Sequence, residues 1–140
     1  MNLKALAMFD VLGFKALRQR LGAEGLKALY HNLVLNRCDR VLSKHILAWE
    51  EIFGQSLKDD LIGFSFFSDT IIIYSTNDDD WLSNLVLLKC CEEILIESLS
   101  GKTPLRGALV AGELIIDGSI IIGEAVEKAY EIEQKQLWSG

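Results

Sequence analysis

Residues 3–9, LKALAMF, form a nearly unbroken apolar run. The run does not alternate with polar residues, so it predicts a strand buried on both faces. It ends in a carboxylate, Asp10, and the chain then turns through Leu12, Gly13 and Phe14. From Leu26 the rhythm changes. Leu26, Leu29, Tyr30, Leu33, Val34, Val41 and Leu42 fall at helical spacing, which predicts a helix reaching about Phe53. Gly22 and Gly25 punctuate its start, and Gly54 stands where a C-cap belongs. In DLIGFSFFSDTIIIYS, residues 60–75, Ser68 and Asp69 interrupt an aromatic and β-branched run, predicting two strands joined by a tight turn. Asp78, Asp79 and Asp80 precede Trp81, Leu82, Leu85, Val86, Ile94 and Leu95. Acidic residues there suit a helix N-terminus, and the helix should stop near Gly101. Residues 104–112 read as a strand entered through Pro104. Residues 113–122 read as a strand, a turn at Asp117, Gly118 and Ser119, and a second short strand. Residues 124–138 read as a last helix.

The predicted order is β-α-β-β-α-β-(β)-α. Its first six elements have the split βαβ order of an α+β, ferredoxin-like βαββαβ core, with an antiparallel sheet and helices packed on one face. In that reading the first strand lies beside the second at the sheet centre. The end of the first strand then meets the hairpin turn, which brings Asp10 and Asp69 together. A carboxylate at the end of an apolar strand costs several kcal/mol unless water or a cation compensates it.

Composition narrows the function classes. A chain of 140 residues that is 50% apolar suits one domain with a real core. A net charge of −6 argues against non-specific binding of nucleic acid or anionic membranes. It leaves a nucleotide open, because a bound metal inverts the local field. No apolar run approaches the ~18–20 residues of a membrane span, and the N-terminus lacks a signal-peptide pattern. The expectation is a cytoplasmic protein with no membrane and no nucleic-acid partner. Cys38, Cys90 and Cys91 are odd in number and badly spaced for disulfides, so they read as buried free thiols.

Two carboxylates brought together repel unless a cation lies between them. Mg²⁺ or Mn²⁺ commonly takes one or two carboxylates plus substrate phosphates, and two such ions can drive an in-line displacement. Leu12, Gly13 and Phe14 open a helical stretch whose free N–H groups could face phosphates, with Gly13 letting the backbone approach.

Several segments resemble one family. FDVLGF (9–14) looks like the first metal motif of class III nucleotide cyclases, and FFSDTIIIYS (66–75) like their hairpin bearing the second metal Asp. LRGALVAGEL (105–114) looks like the following strand, and GEAVEKAYEIEQ (123–134) like the late helix. Ala-Tyr-x-x-Glu in that helix, with FSDTI before it, is most similar to the pyrimidine (uridylate or cytidylate) cyclases of Pycsar antiphage defence. The resemblance covers most of the chain and makes it a single nucleotide cyclase-like domain, 1–140. It implies that Asp10 and Asp69, helped by the Val11 carbonyl, hold two Mg²⁺ or Mn²⁺ ions, and that Arg106 holds the triphosphate. The 3′-hydroxyl of a nucleoside triphosphate, UTP or CTP favoured, would attack its own α-phosphate and release pyrophosphate. A head-to-tail homodimer with composite sites and a separate cyclic-nucleotide effector are implied too.

The sequence also departs from that pattern. Glu127 and Glu131 stand where many class III enzymes carry an Asn and an Arg, and the chain stops before the family's usual C-terminal strands. The alternative is therefore a catalytically inactive, cyclase-like dimerisation or nucleotide-sensing domain. A relative of diguanylate cyclases or polymerase palms ranks lower, because the hairpin reads FFSDTI and not GG[DE]EF. His31 and His45 lie about 21 Å apart along one predicted helix and cannot share a metal. Asp78, Asp79 and Asp80 read as a helix cap, and Tyr74 and Tyr130 as core.

Overall fold

In the computed structural model the described residues are 3–53, 61–76 and 81–135. The apolar run at the N-terminus forms strand β1, Leu3–Val11. The hairpin segment gives β2, Ile62–Phe67, and β3, Thr70–Ser75, with Ser68 at a positive φ of 55° in the turn. A fourth strand, β4, spans Leu105–Glu113. The sheet order is β2-β3-β1-β4, and every neighbouring pair is antiparallel. This is α+β architecture consistent with a ferredoxin-like core. One expectation is corrected: β1 lies beside β3 and β4, not beside β2. The crossover from β1 to β2 leaves a gap one strand wide, and the two-residue turn folds β3 back into it.

The helices are α1, Phe14–Tyr30, α2, Asn36–Phe53, α3, Trp81–Ser100, and α4, Glu124–Lys135. Helix begins at Phe14, twelve residues before the strong apolar periodicity, because the first turns of α1 are largely exposed and carry little hydrophobic signal. Gly22, at φ 71° and ψ 177°, kinks α1, and a π-helical turn at His31–Leu35 joins it to α2. β5, Ile115–Asp117, and β6, Ile120–Ile122, pair as a separate hairpin. Gly54 and Asp78, Asp79 and Asp80 lie outside the described residues.

Two buried clusters explain why β1 lacks alternation. Ala5, Ala7, Phe9 and Val11 pack against Leu33, Val34 and Cys38 of the α1–α2 arm and against Val86, Cys90 and Ile94 of α3. Leu6 and Met8 point the other way and pack with Val110, Leu114, Ala125 and Ala129. Helix α4 therefore covers the second face, which corrects the expectation of helices on one face only. A strand apolar on both sides needs a cover on both. The three cysteines are buried free thiols. A hydrogen bond with Cys90 and burial push the Cys38 thiol up, and burial pushes Cys91 up to about 12, so neither is a nucleophile at neutral pH.

Gly107 sits opposite Phe9, where a Cβ would run into the Met8 carbonyl oxygen and the Phe9 ring. Backbone cannot yield as a flexible side-chain tip can. Gly107→Ala should lower stability by about 2 kcal/mol in denaturant melts; a change within 0.5 kcal/mol would mean that β4 shifts freely on β1.

Candidate functional site

The end of β1 carries the site. Asp10 continues the series of Leu6 and Met8, so its carboxylate faces α4. Across the sheet it pairs with Thr70 on one side and Arg106 on the other. Three neighbouring strands thus present Thr70, Asp10 and Arg106 in a row. The Thr70 hydroxyl donates to Asp10 Oδ1 at 3.1 Å, and Arg106 Nη2 stands 3.9 Å from Asp10 Oδ2. The Val11 N–H donates to the Asp69 carbonyl at 3.0 Å, tying the hairpin turn to the end of β1. Asp10 and Asp69 therefore come to the same corner, where the end of the first strand is expected to meet the hairpin turn.

One residue of this corner, the Glu of the Ala-Tyr-x-x-Glu pattern in the late helix, was not placed here by the sequence reading. Glu133 of α4 is only 2% exposed. It accepts from Arg106 Nε at 3.0 Å and pairs with Arg106 Nη2 at 2.7 Å. A signal was present: Ala125, Ala129 and Glu133 recur every four residues and make the buried stripe of α4. A carboxylate on such a stripe needs a partner. Glu127 and Glu131 lie on the exposed side of the helix instead. Tyr130 is 57% exposed and is not core, whereas Tyr74 packs against the Leu6–Met8 cluster. His31 is exposed, and the His45 side chain lies outside the described residues.

Crowding of carboxylates sets the electrostatics. Burial, then hydrogen bonding and repulsion from Glu133, raise the Asp10 carboxyl from 3.8 to about 7; Asp69 adds to the rise and the Thr70 hydrogen bond opposes it. Glu133 moves below the ordinary range, chiefly because Asp10 in its protonated form donates to it and because Arg106 holds it. Tyr30 donates to the Ser68 carbonyl at 2.6 Å and stacks on Phe66 at 5.3 Å. Burial and the nearby Asp69 and Asp10 charges raise its hydroxyl to about 12. Burial and the Glu133 carboxylate thus favour the protonated form of Asp10, and a divalent cation would displace that proton. The donor set fits such an ion: two hard carboxylates in a corner where their charges repel. Among the described residues no group of three or more His, Cys, Asp or Glu has metal-holding geometry, so any further ligands would come from backbone, water or phosphate.

The turn into α1 agrees with expectation only in part. Gly13 takes a left-handed φ of 68°, and no side chain caps the helix start among the described residues. Leu12 is corrected, because its N–H is spent on the Pro104 carbonyl at 3.0 Å and cannot face a phosphate. Phe14 is half-buried and packs against the core. A cavity of about 250 Å³ opens beside this turn and is lined in part by Gly13, Ala16, Arg20, Lys102 and Thr103. Against known protein families and curated proteins, the sequence matches none.

Proposed function

We propose that the protein is a nucleotide cyclase. It would convert a nucleoside triphosphate, UTP or CTP favoured, to a 3′,5′-cyclic mononucleotide and pyrophosphate. The observation that carries this reading is the corner where Asp10 meets the Asp69 turn, with Thr70, Arg106 and Glu133 gathered around it. Asp10, Asp69 and the Val11 carbonyl would hold two Mg²⁺ or Mn²⁺ ions. When bound, these supply charge neutralisation and acidify the attacking hydroxyl. Thr70 fixes the Asp10 carboxylate through its hydrogen bond. Arg106 meets the triphosphate, and Glu133 aims the guanidinium. The substrate 3′-oxygen bonds to the α-phosphorus, the bond to the β-phosphate bridging oxygen breaks, and the hydroxyl proton passes to solvent. The remaining catalysis is positioning and charge complementarity. In this reading the product is a second messenger of antiphage defence, made in the cytoplasm and read by a separate effector.

One observation favours the alternative, a catalytically inactive domain that binds a nucleotide or dimerises. Glu133 already occupies Arg106 with two short contacts. A guanidinium so engaged has less charge to offer a triphosphate.

Incubation with all four ribonucleoside triphosphates and Mn²⁺, read by mass spectrometry, separates the two. The cyclase reading expects a cyclic UMP or cyclic CMP peak that Asp69→Ala abolishes. Triphosphate binding without product favours the inactive domain. Product that survives Asp69→Ala overturns the assignment of the site.

A further inference from the structure

The first turns of α1 and the loop between α3 and β4 border the cavity of about 250 Å³. It is not the metal corner. Asp10 faces α4, whereas Ala16 and Arg20 line the cavity from α1, and none of Asp10, Asp69, Thr70, Arg106 and Glu133 takes part in its wall. The polar side chains in that wall are all donors: Arg20, Lys102 and Thr103. It holds no carboxylate, although the chain carries 20 acidic residues against 14 basic ones. Among the described residues neither Arg20 nor Lys102 makes an ion pair or a side-chain hydrogen bond. Thr103 is only 8% exposed. Its Oγ1 stands 3.5 Å from the Gly101 carbonyl oxygen, longer than the ~2.7–2.8 Å of a good O–H···O bond, so this buried hydroxyl keeps its proton for a better acceptor.

Lys102 reaches this wall in a conformation that lysine disfavours. The C-terminus of α3 closes as the Thr103 N–H donates to the Ser98 carbonyl at 2.8 Å and the Lys102 N–H to the Leu99 carbonyl at 3.3 Å. That pattern needs a left-handed residue at position 102, and Lys102 has a φ of 57°. Glycine is the usual occupant, because it adopts positive φ without a steric penalty. Lysine there forgoes that ease and sets a cation beside Thr103, across the cavity from Arg20. We propose that this cavity is a second anion site, in which Arg20, Lys102 and the Thr103 hydroxyl hold a phosphoryl oxyanion without a metal. Two cations and a hydroxyl donor match a group that carries two or more negative charges on clustered oxygens, through charge-assisted hydrogen bonds. The net charge of −6 repels anions in general, so saturable binding requires a local arrangement of this kind. Such a group is offered by free pyrophosphate or by the tail of a nucleotide.

The site does not depend on the cyclase reading, and thermal melts of the full chain in EDTA test it with the metal corner kept out of play. Sodium pyrophosphate at about ten times its dissociation constant should raise the thermal midpoint by about 4 °C, and sodium chloride at equal ionic strength should not. Lys102→Gly relieves the left-handed lysine, so without ligand its midpoint should rise by about 2 °C. The same variant should bind pyrophosphate about 10-fold more weakly. Stability and binding then move in opposite directions, which a merely structural role of Lys102 would not produce. Arg20→Gln should weaken binding by a similar factor and leave the unliganded midpoint unchanged. Asp69→Ala should bind pyrophosphate as wild type does. A shift by UTP in EDTA that matches that by pyrophosphate makes the nucleotide tail a source of the anion; a shift by pyrophosphate alone makes it the free anion. No saturable shift, a shift that chloride reproduces, full binding by both Lys102→Gly and Arg20→Gln, or binding lost with Asp69→Ala overturns the proposal.

Discussion

Arg106→Ala is expected to destabilise the protein by about 3 kcal/mol at pH 8, which for a chain of this size lowers the thermal midpoint by roughly 10 °C. Glu133 is almost wholly buried, and Arg106 supplies its short charge-assisted contacts at 2.7 and 3.0 Å. Removing the guanidinium leaves that carboxylate to the Gln134 amide, which donates to its Oε2 at 3.0 Å, and also takes away the positive charge 3.9 Å from Asp10 Oδ2. Two acidic groups that share a hydrogen bond would then face each other without compensation, so one must bind a proton. The loss should consequently shrink at pH 5, where a proton is cheap. Arg106→Met combined with Glu133→Leu should recover most of the stability, because apolar groups of similar volume need no counter-charge. Thermal melts by circular dichroism at the two pH values measure this. A loss below 1 kcal/mol at pH 8 would mean that water, rather than Arg106, solvates Glu133.

Much of this arrangement is legible in the sequence. Continuous apolar character in residues 3–9 implies burial on both faces, and β1 is buried on both. Polar Ser68 and Asp69 within an aromatic run imply a tight turn, and the turn is there. Asp10 and Asp69 were brought together by topology alone. What stayed hidden has physical causes. Strand neighbours depend on which gap a hairpin folds into, and a one-dimensional pattern does not encode that choice. The start of α1 carries weak periodicity because its first turns are exposed. Glu133 ends the Ala-Tyr-x-x-Glu pattern, but composition alone does not separate it from Glu127 and Glu131, which share its helix but not its face. Position on the helix, not charge, decides which glutamate enters the site.

Asp10→Asn is expected to stabilise the protein at pH 8, and to do so less at pH 5. In the unfolded chain Asp10 titrates near 3.8, and in the folded protein near about 7. Between those values the folded state keeps a proton that the unfolded chain has released. Stability therefore falls as the pH rises from about 4 to about 7. The full interval corresponds to roughly 4 kcal/mol, and the opposite shift of Glu133 with partial solvent access brings the expectation to about 2 kcal/mol. Asparagine mimics the protonated acid. Its amide N–H can donate to Glu133 as the carboxyl O–H does, and its carbonyl oxygen can still accept from Thr70. As the pH falls toward 4 the unfolded chain binds the proton as well, so the two proteins converge. A protein that retains an ionisable carboxylate at such a cost has reason to expose its charge to something positive, and a divalent cation is the partner under the cyclase reading. Mn²⁺ at pH 8 should then raise the thermal midpoint of wild type and not that of Asp10→Asn. Equal destabilisation of the variant at both pH values would show that Asp10 is not strained in the folded protein. Stabilisation by substitution without any Mn²⁺ response in wild type would place the strain in the Glu133 pair alone and remove the electrostatic case for a metal.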